Sequence, residues 1–167
     1  NRLAIIDLSN EADQPMISSD DNYILFFNGE IYNHEELRNF LIKKGHSFKS
    51  SHSDTEALLY TFINYELEAP KKLRGQFSFV IFDKKNHTFY LCRDRLGQKP
   101  LYFTQNNNTL SFSSNLLSLS HFSNENVIYE ESIYSYLNYG KTIGKTTIFQ
   151  NINEVMPCLL YTSDAAD

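Results

Sequence analysis

The chain has 167 residues, 41% of them hydrophobic and 21% charged, an ordinary composition for one domain with a sizeable core. No apolar run reaches the roughly 18 residues of a membrane span, and a net charge of −5 with acids and bases interspersed lacks the basic stripe of a nucleic-acid binder. Two cysteines, Cys92 and Cys158, cannot build a disulfide framework and fit a reducing, cytoplasmic setting, while thirteen Phe and eleven Tyr suit a sheet-rich core.

Asn1-Arg2-Leu3 leads straight into the apolar Ala4-Ile5-Ile6, so sequence upstream is expected. Tyr23 to Phe27 is a β-favouring run that Asn28-Gly29 is expected to stop as a turn. Asn33 stands three residues before Glu36, a capping-box spacing, and Leu37, Phe40 and Leu41 follow at helical period until Gly45. Ser53 and Glu56 repeat the capping pattern ahead of Ala57, Leu58, Phe62 and Ile63, a second helix that ends before Pro70. Phe77 to Phe82 is apolar at five of six positions, a strand covered on both faces, and turns through residues 84–87 into Thr88 to Cys92. Pro100 to Gln105 and Leu110 to Ser114 form another hairpin, and Glu130 to Asn138 reads as a helix with Ile133 and Leu137 on one face. Hairpins with two helices inserted between strands predict an α+β fold with antiparallel sheets. Doubly covered strands call for two stacked sheets with helices outside.

Most apparent chemical motifs fail on spacing. The two glycines of Gly140-Lys141-Thr142-Ile143-Gly144-Lys145-Thr146 have three residues between them where a phosphate loop needs four, and no strand leads in. The five histidines show no i, i+4 pairing and no nearby Cys, so no metal site is expected. Asn86-His87-Thr88 and Asn107-Asn108-Thr109 read as turns rather than glycosylation sites. Cys92, inside an apolar strand, reads as a buried inert thiol.

Two segments are more specific. In Phe27-Asn28-Gly29-Glu30-Ile31-Tyr32-Asn33, a turn and a cap account for Asn28, Gly29 and Asn33 but leave Glu30 and Tyr32 unexplained. An Asn amide beside a Gly N–H also offers two donors that can converge on one oxygen, as in an oxyanion hole. Arg93-Asp94-Arg95-Leu96-Gly97-Gln98-Lys99-Pro100-Leu101-Tyr102 packs three bases and an acid into a turn beside an apolar strand, which suggests an ordered ion-pair corner over a solvated loop.

With these, Arg2-Leu3-Ala4-Ile5-Ile6-Asp7, Gln14-Pro15-Met16, His52-Ser53-Asp54-Thr55-Glu56, Gly75-Gln76-Phe77-Ser78-Phe79 and Ser113-Ser114 complete an ordered set. That set resembles the glutaminase domain of glutamine-hydrolysing asparagine synthetases, within the class II glutamine amidotransferases. The resemblance covers residues 1–157. It implies the N-terminal-nucleophile hydrolase fold, a four-layer αββα sandwich of two stacked, mainly antiparallel sheets.

The resemblance also implies roles. An N-terminal Cys attacks the glutamine side-chain amide with its own α-amine as base, and a γ-glutamyl thioester forms as ammonia leaves. Asn28 and Gly29 match the oxyanion donors. Arg2 matches the grip on the glutamine α-carboxylate, and Glu30 and Asp54 match the positions that hold the α-ammonium end. The backbone from Leu3 through Ile5 and Ile6 lines the same pocket. The nucleophile is expected upstream of Arg2, since neither Cys92 nor Cys158 is N-terminal, so this chain alone is expected to be inactive. Asn115 stands where the family usually has Glu. The family stretch in Ile152-Asn153-Glu154-Val155-Met156-Pro157 breaks off after Pro157. Residues 158–167 resemble the in-frame translation of a transposon end and sequencing adapter and are set aside as a non-native tail, against the plainer reading of a natural strand with an acidic end.

The expected parent is a cytoplasmic asparagine synthetase. Its glutaminase domain needs no cofactor. A C-terminal synthetase domain, outside this chain, uses ATP and Mg²⁺ to amidate aspartate with the released ammonia. L-glutamine and that domain are the expected partners, with no nucleic acid or membrane, and the parent can be a homo-oligomer. The alternatives are a related amidotransferase with another acceptor, or a non-catalytic domain that has lost the nucleophile.

Overall fold

The computed structural model describes residues 13–106, 109–122, 127–158 and 160–164. In chain order its elements are β1 (Met16–Ile17), β2 (Tyr23–Ile31), α1 (His34–Lys43), α2 (Asp54–Tyr65), α3 (Ala69–Lys72), β3 (Gly75–Asp83), β4 (Thr88–Arg93), β5 (Tyr102–Asn106), β6 (Thr109–Ser113), α4 (Leu116–Ser120), α5 (Glu130–Tyr139), β7 (Asn153–Glu154) and β8 (Leu160–Asp164). Two antiparallel sheets result, one in the order β1-β2-β3-β4-β8 and one in the order β6-β5-β7. The expected α+β class and stacked-sheet architecture are what the chain adopts.

The alternation of β3 shows why. Phe77, Phe79 and Ile81 face one way, into a core closed by Leu37 of α1 and by Leu58, Leu59 and Phe62 of α2. Val80 faces the other way, with Leu91, against Leu101, Val155 and the rings of Phe103 and Phe112 in the second sheet. A strand that must be apolar on both faces lies between a helical layer and a second sheet, as its sequence required. On the far side of the second sheet, α4 packs against β5 and β6.

Two local expectations are corrected. The Asn28-Gly29 pair makes no turn, because β2 runs on through it to Ile31 and pairs residue for residue with Gly75–Asp83. Asn33 precedes α1 but its side chain does not cap the helix. Its oxygen accepts the Arg74 N–H at 2.9 Å and its amide donates to the Lys72 carbonyl at 3.0 Å, tying α1 to the chain entering β3. The helix expected over Glu130 to Asn138 forms as α5, with Ile133 and Leu137 exposed. The second cap does form, with Ser53 Oγ accepting the Glu56 N–H. Asn115 caps α4 by accepting the Ser118 N–H at 2.9 Å. Leu160–Asp164 extends the first sheet as β8 along β4.

Candidate functional site

The C-terminal end of β2 carries Asn28, Gly29 and Glu30. Gly29 has φ +146°, and a β-carbon there would lie 2.6 Å from the Phe77 Cα and collide with the Gln76 carbonyl oxygen. Only glycine lets β2 and β3 approach this closely. Two residues earlier, the Gln14 side-chain oxygen accepts the Phe27 N–H at 2.7 Å, which fixes the edge of β2 just before Asn28. Asn28 is exposed, and its carboxamide makes no hydrogen bond to another described residue. Its donor is therefore available to a ligand. Glu30 is half-buried beside it.

Asp54 opens α2, and its Oδ2 accepts the Ile31 N–H at 3.1 Å. The helix start and the strand end thus meet at one point. Asp54 is only 6% exposed. Burial pushes its carboxyl above the usual carboxylate range, and the Ile31 and Thr55 N–H groups and the His34 ring pull it back only in part. A buried carboxylate short of compensating charge is a receptor for a cation.

The loop that delivers Asp54 is held by two buried charges, Arg38, which sequence reasoning did not single out, and Glu56, which it read only as the capping partner of Ser53. Arg38 of α1 donates to the Ser50 carbonyl at 2.7 Å and to the Ser53 carbonyl at 3.1 Å, with its guanidinium 4.3 Å over the Phe48 ring. The Glu56 carboxylate accepts the N–H groups of Lys49 at 2.7 Å and Ser50 at 2.9 Å. The available signal for Arg38 was its place between Leu37 and Leu41, on the buried side of the helix.

The Arg93-Asp94 corner is ordered, as expected, but its two charges do not pair with each other. Arg93 donates to the carbonyls of Gly97, Lys99 and Val155 at 2.6–2.7 Å and forms an ion pair with Glu154 at 2.6 Å. Asp94 accepts N–H groups from Phe77, Leu96, Gln98 and Lys99. Burial works against its charge, yet these four donors outweigh it and hold the carboxyl below the usual range. The corner fixes the start of β3, which lies opposite Gly29.

Cys92 is buried, and burial, with Cys158 and Asp94 behind it, pushes its thiol up to about 12. Such a thiol is not a nucleophile near neutral pH. Arg2, Leu3, Ile5 and Ile6 lie outside the described residues. Among the described residues no three His, Cys, Asp or Glu side chains stand together as a metal centre. No helix of the described residues is long and apolar enough to cross a membrane.

A family model described as a glutamine amidotransferase domain matches residues 1–167. Asparagine synthetase [glutamine-hydrolyzing] 1 of Bacillus subtilis is 40% identical over 161 residues, which span 96% of this chain and 25% of the relative. Asparagine synthetase [glutamine-hydrolyzing] 3 of the same organism is 34% identical, over 93% of this chain and 26% of the relative. The chain therefore spans about a quarter of the length of these relatives. Among solved structures, the glutamine phosphoribosylpyrophosphate amidotransferase of B. subtilis superposes with a TM-score of 0.56 at 17% identity, covering 96% of this chain and 33% of that one. That likeness is one of fold.

Proposed function

The chain belongs to the glutamine amidotransferase domain family, and on that premise we propose that it is the glutaminase part of a glutamine-dependent asparagine synthetase. The observation that carries the reading is the junction of Asp54 with the end of β2, where a buried carboxylate with too little compensating charge meets the strand three residues beyond Asn28 and its free amide donor. Free glutamine carries an ammonium at one end and an amide at the other. Asp54, with Glu30, takes the α-ammonium. Arg2 takes the α-carboxylate with its planar fork, and the backbone of Leu3, Ile5 and Ile6 completes the wall.

At the other end, an N-terminal Cys thiolate supplied from outside these residues attacks the amide carbon, its own α-amine moving the proton. The carbonyl oxygen becomes an oxyanion that receives hydrogen bonds from the Asn28 amide and the Gly29 N–H. Collapse expels ammonia and leaves a γ-glutamyl thioester, which water hydrolyses to glutamate and free thiol. Cys92 takes no part, which its burial and raised thiol pKa support.

The rest of the polypeptide amidates aspartate with the ammonia. It uses ATP and Mg²⁺, which that part and not this domain would hold, while the glutaminase step needs no cofactor. The setting is the cytosol, the whole protein works without nucleic acid or membrane, and it can assemble with copies of itself. The domain proper is residues 1–157, and the last ten residues are an appended tail, of which Leu160–Asp164 pairs along β4 with Leu160 and Tyr161 packed against the two cores. The test is to supply the complete polypeptide with glutamine, ATP, Mg²⁺ and aspartate. Asparagine and glutamate in equal amounts support the reading; glutamate without asparagine removes the synthetase assignment, and neither product removes both.

A further inference from the structure

Residues 127–150 leave the second sheet as an excursion with little cover of its own. Its ends are tied together, Tyr129 N–H to the Ile148 carbonyl at 2.8 Å and Gln150 N–H to the Val127 carbonyl at 2.9 Å. Between them stands α5, closed by Gly140 at φ +70°. Only Ser132 of its ten residues is buried. Ile133, Tyr134, Tyr136, Leu137 and Tyr139 are all exposed, Leu137 at 75%. A monomer rarely leaves so dense a set of large apolar side chains in water, and its Tyr-rich make-up is that of a protein interface. The helix carries Glu130 and Glu131 in its first turn and no Lys or Arg, so it lacks the cations with which a surface helix holds anionic lipid.

The excursion springs from the end of the sandwich that holds the site. The Lys145 carbonyl accepts the Glu154 N–H at 2.8 Å, and Glu154 is paired with Arg93. Arg93 lies opposite Ser78 across one ladder, and Ser78 opposite Asn28 across the next. We propose that α5 is the seat on which the rest of the polypeptide, the domain that consumes the ammonia, docks. This rests on the function proposed above. The relatives are about four times as long as this chain, so an occupant of ample size is joined to the same polypeptide. A seat beside the site shortens the path of a small neutral product that would otherwise escape into solvent.

Two measurements on the complete polypeptide test it. Hydroxyl-radical footprinting reads Tyr134 and Tyr136 directly. The docked face predicts oxidation about tenfold slower than in the urea-unfolded chain, whereas rates near the unfolded ones overturn the proposal. Protection that vanishes on dilution together with a dimer in sedimentation assigns the face to a second copy and also overturns it. The second measurement is the double variant Tyr134→Asp, Leu137→Asp. Glutamate release and amidation from added ammonium stay unchanged, while asparagine formed per glutamate falls about tenfold, the loss expected when about 1.4 kcal/mol of docking is removed. An unchanged ratio overturns the proposal. If the unaltered polypeptide makes no amide at all, the function reading fails, and the footprint alone decides whether its remaining residues cover α5.

Discussion

The Asp54 carboxylate accepts the backbone N–H of Ile31 at 3.1 Å, locking the first residue of α2 to the last residue of β2. The contact ties a charged group to the end of the strand that carries Asn28, Gly29 and Glu30, although 23 positions of chain separate the two partners. It also leaves the carboxylate with less compensation than its burial demands.

Asp54→Asn separates binding from folding. Burial raises the folded carboxyl above its unfolded value, so the unfolded chain loses its proton first and the ionised group destabilises the fold at neutral pH. The penalty is relieved as pH falls toward the carboxylate range. Asn keeps the acceptor for Ile31 and removes the charge. Melting at pH 7 stays level or rises, while KM for glutamine increases about tenfold or more, the worth of a charge-assisted hydrogen bond. Calorimetry with initial-rate kinetics checks both, and a lower Tm with unchanged KM would assign Asp54 to structure alone.

Gly29→Ala puts a methyl group against the backbone of β3 at Gln76 and Phe77, neither of which is a flexible side-chain end. The strained φ and the collision together cost at least about 2 kcal/mol. Urea unfolding of the variant reads the loss, and glutaminase activity falls with it because β2 must pull away from β3 beside Asn28.

Arg93→Ala strands Glu154 and three carbonyl oxygens that the guanidinium now satisfies. Removing one partner of a buried, hydrogen-bonded pair costs roughly 3 kcal/mol, a fall of about 6–12 °C in the transition of a domain this size. Lys in place of Arg recovers little, since one ammonium cannot reproduce the four-way fork. Thermal scans of both variants test this.

Cys92→Ser leaves glutamine turnover by the complete polypeptide unchanged, because the thiol is buried and its pKa stands far above neutrality. The 167-residue chain alone releases no ammonia from glutamine above a blank. Release that Cys92→Ser abolishes would make this thiol the nucleophile.

The layered fold was legible because β3 is apolar at consecutive positions, and a strand with no polar face has to be covered twice. Asn28-Gly29 was misread because the pair is a strong local turn signal. The ladder with Gly75–Asp83 overrides it, and that ladder depends on residues more than forty positions away. Asn33 misled in the same way, since its amide serves Lys72 and Arg74 instead of its own helix. The charged corner was visible at Arg93-Asp94, but its counter-ion Glu154 lies 61 positions on, and no local spacing points to it. Arg38 was passed over because a lone cation on an amphipathic helix ordinarily faces water. For the site, Asn28, Glu30 and Asp54 could be named from short motifs, but the bond that ties Asp54 to the end of β2 is a property of the β2–α2 junction.

The most direct test is Asn28→Ala in the complete polypeptide, assayed with glutamine and with ammonium as the nitrogen source. Loss of one oxyanion donor removes about 3 kcal/mol of transition-state stabilisation, a fall of roughly a hundredfold or more in glutamine hydrolysis. Amidation from ammonium bypasses that step and keeps its rate. Unchanged glutamine hydrolysis would take Asn28 out of the site and contradict the proposed oxyanion hole.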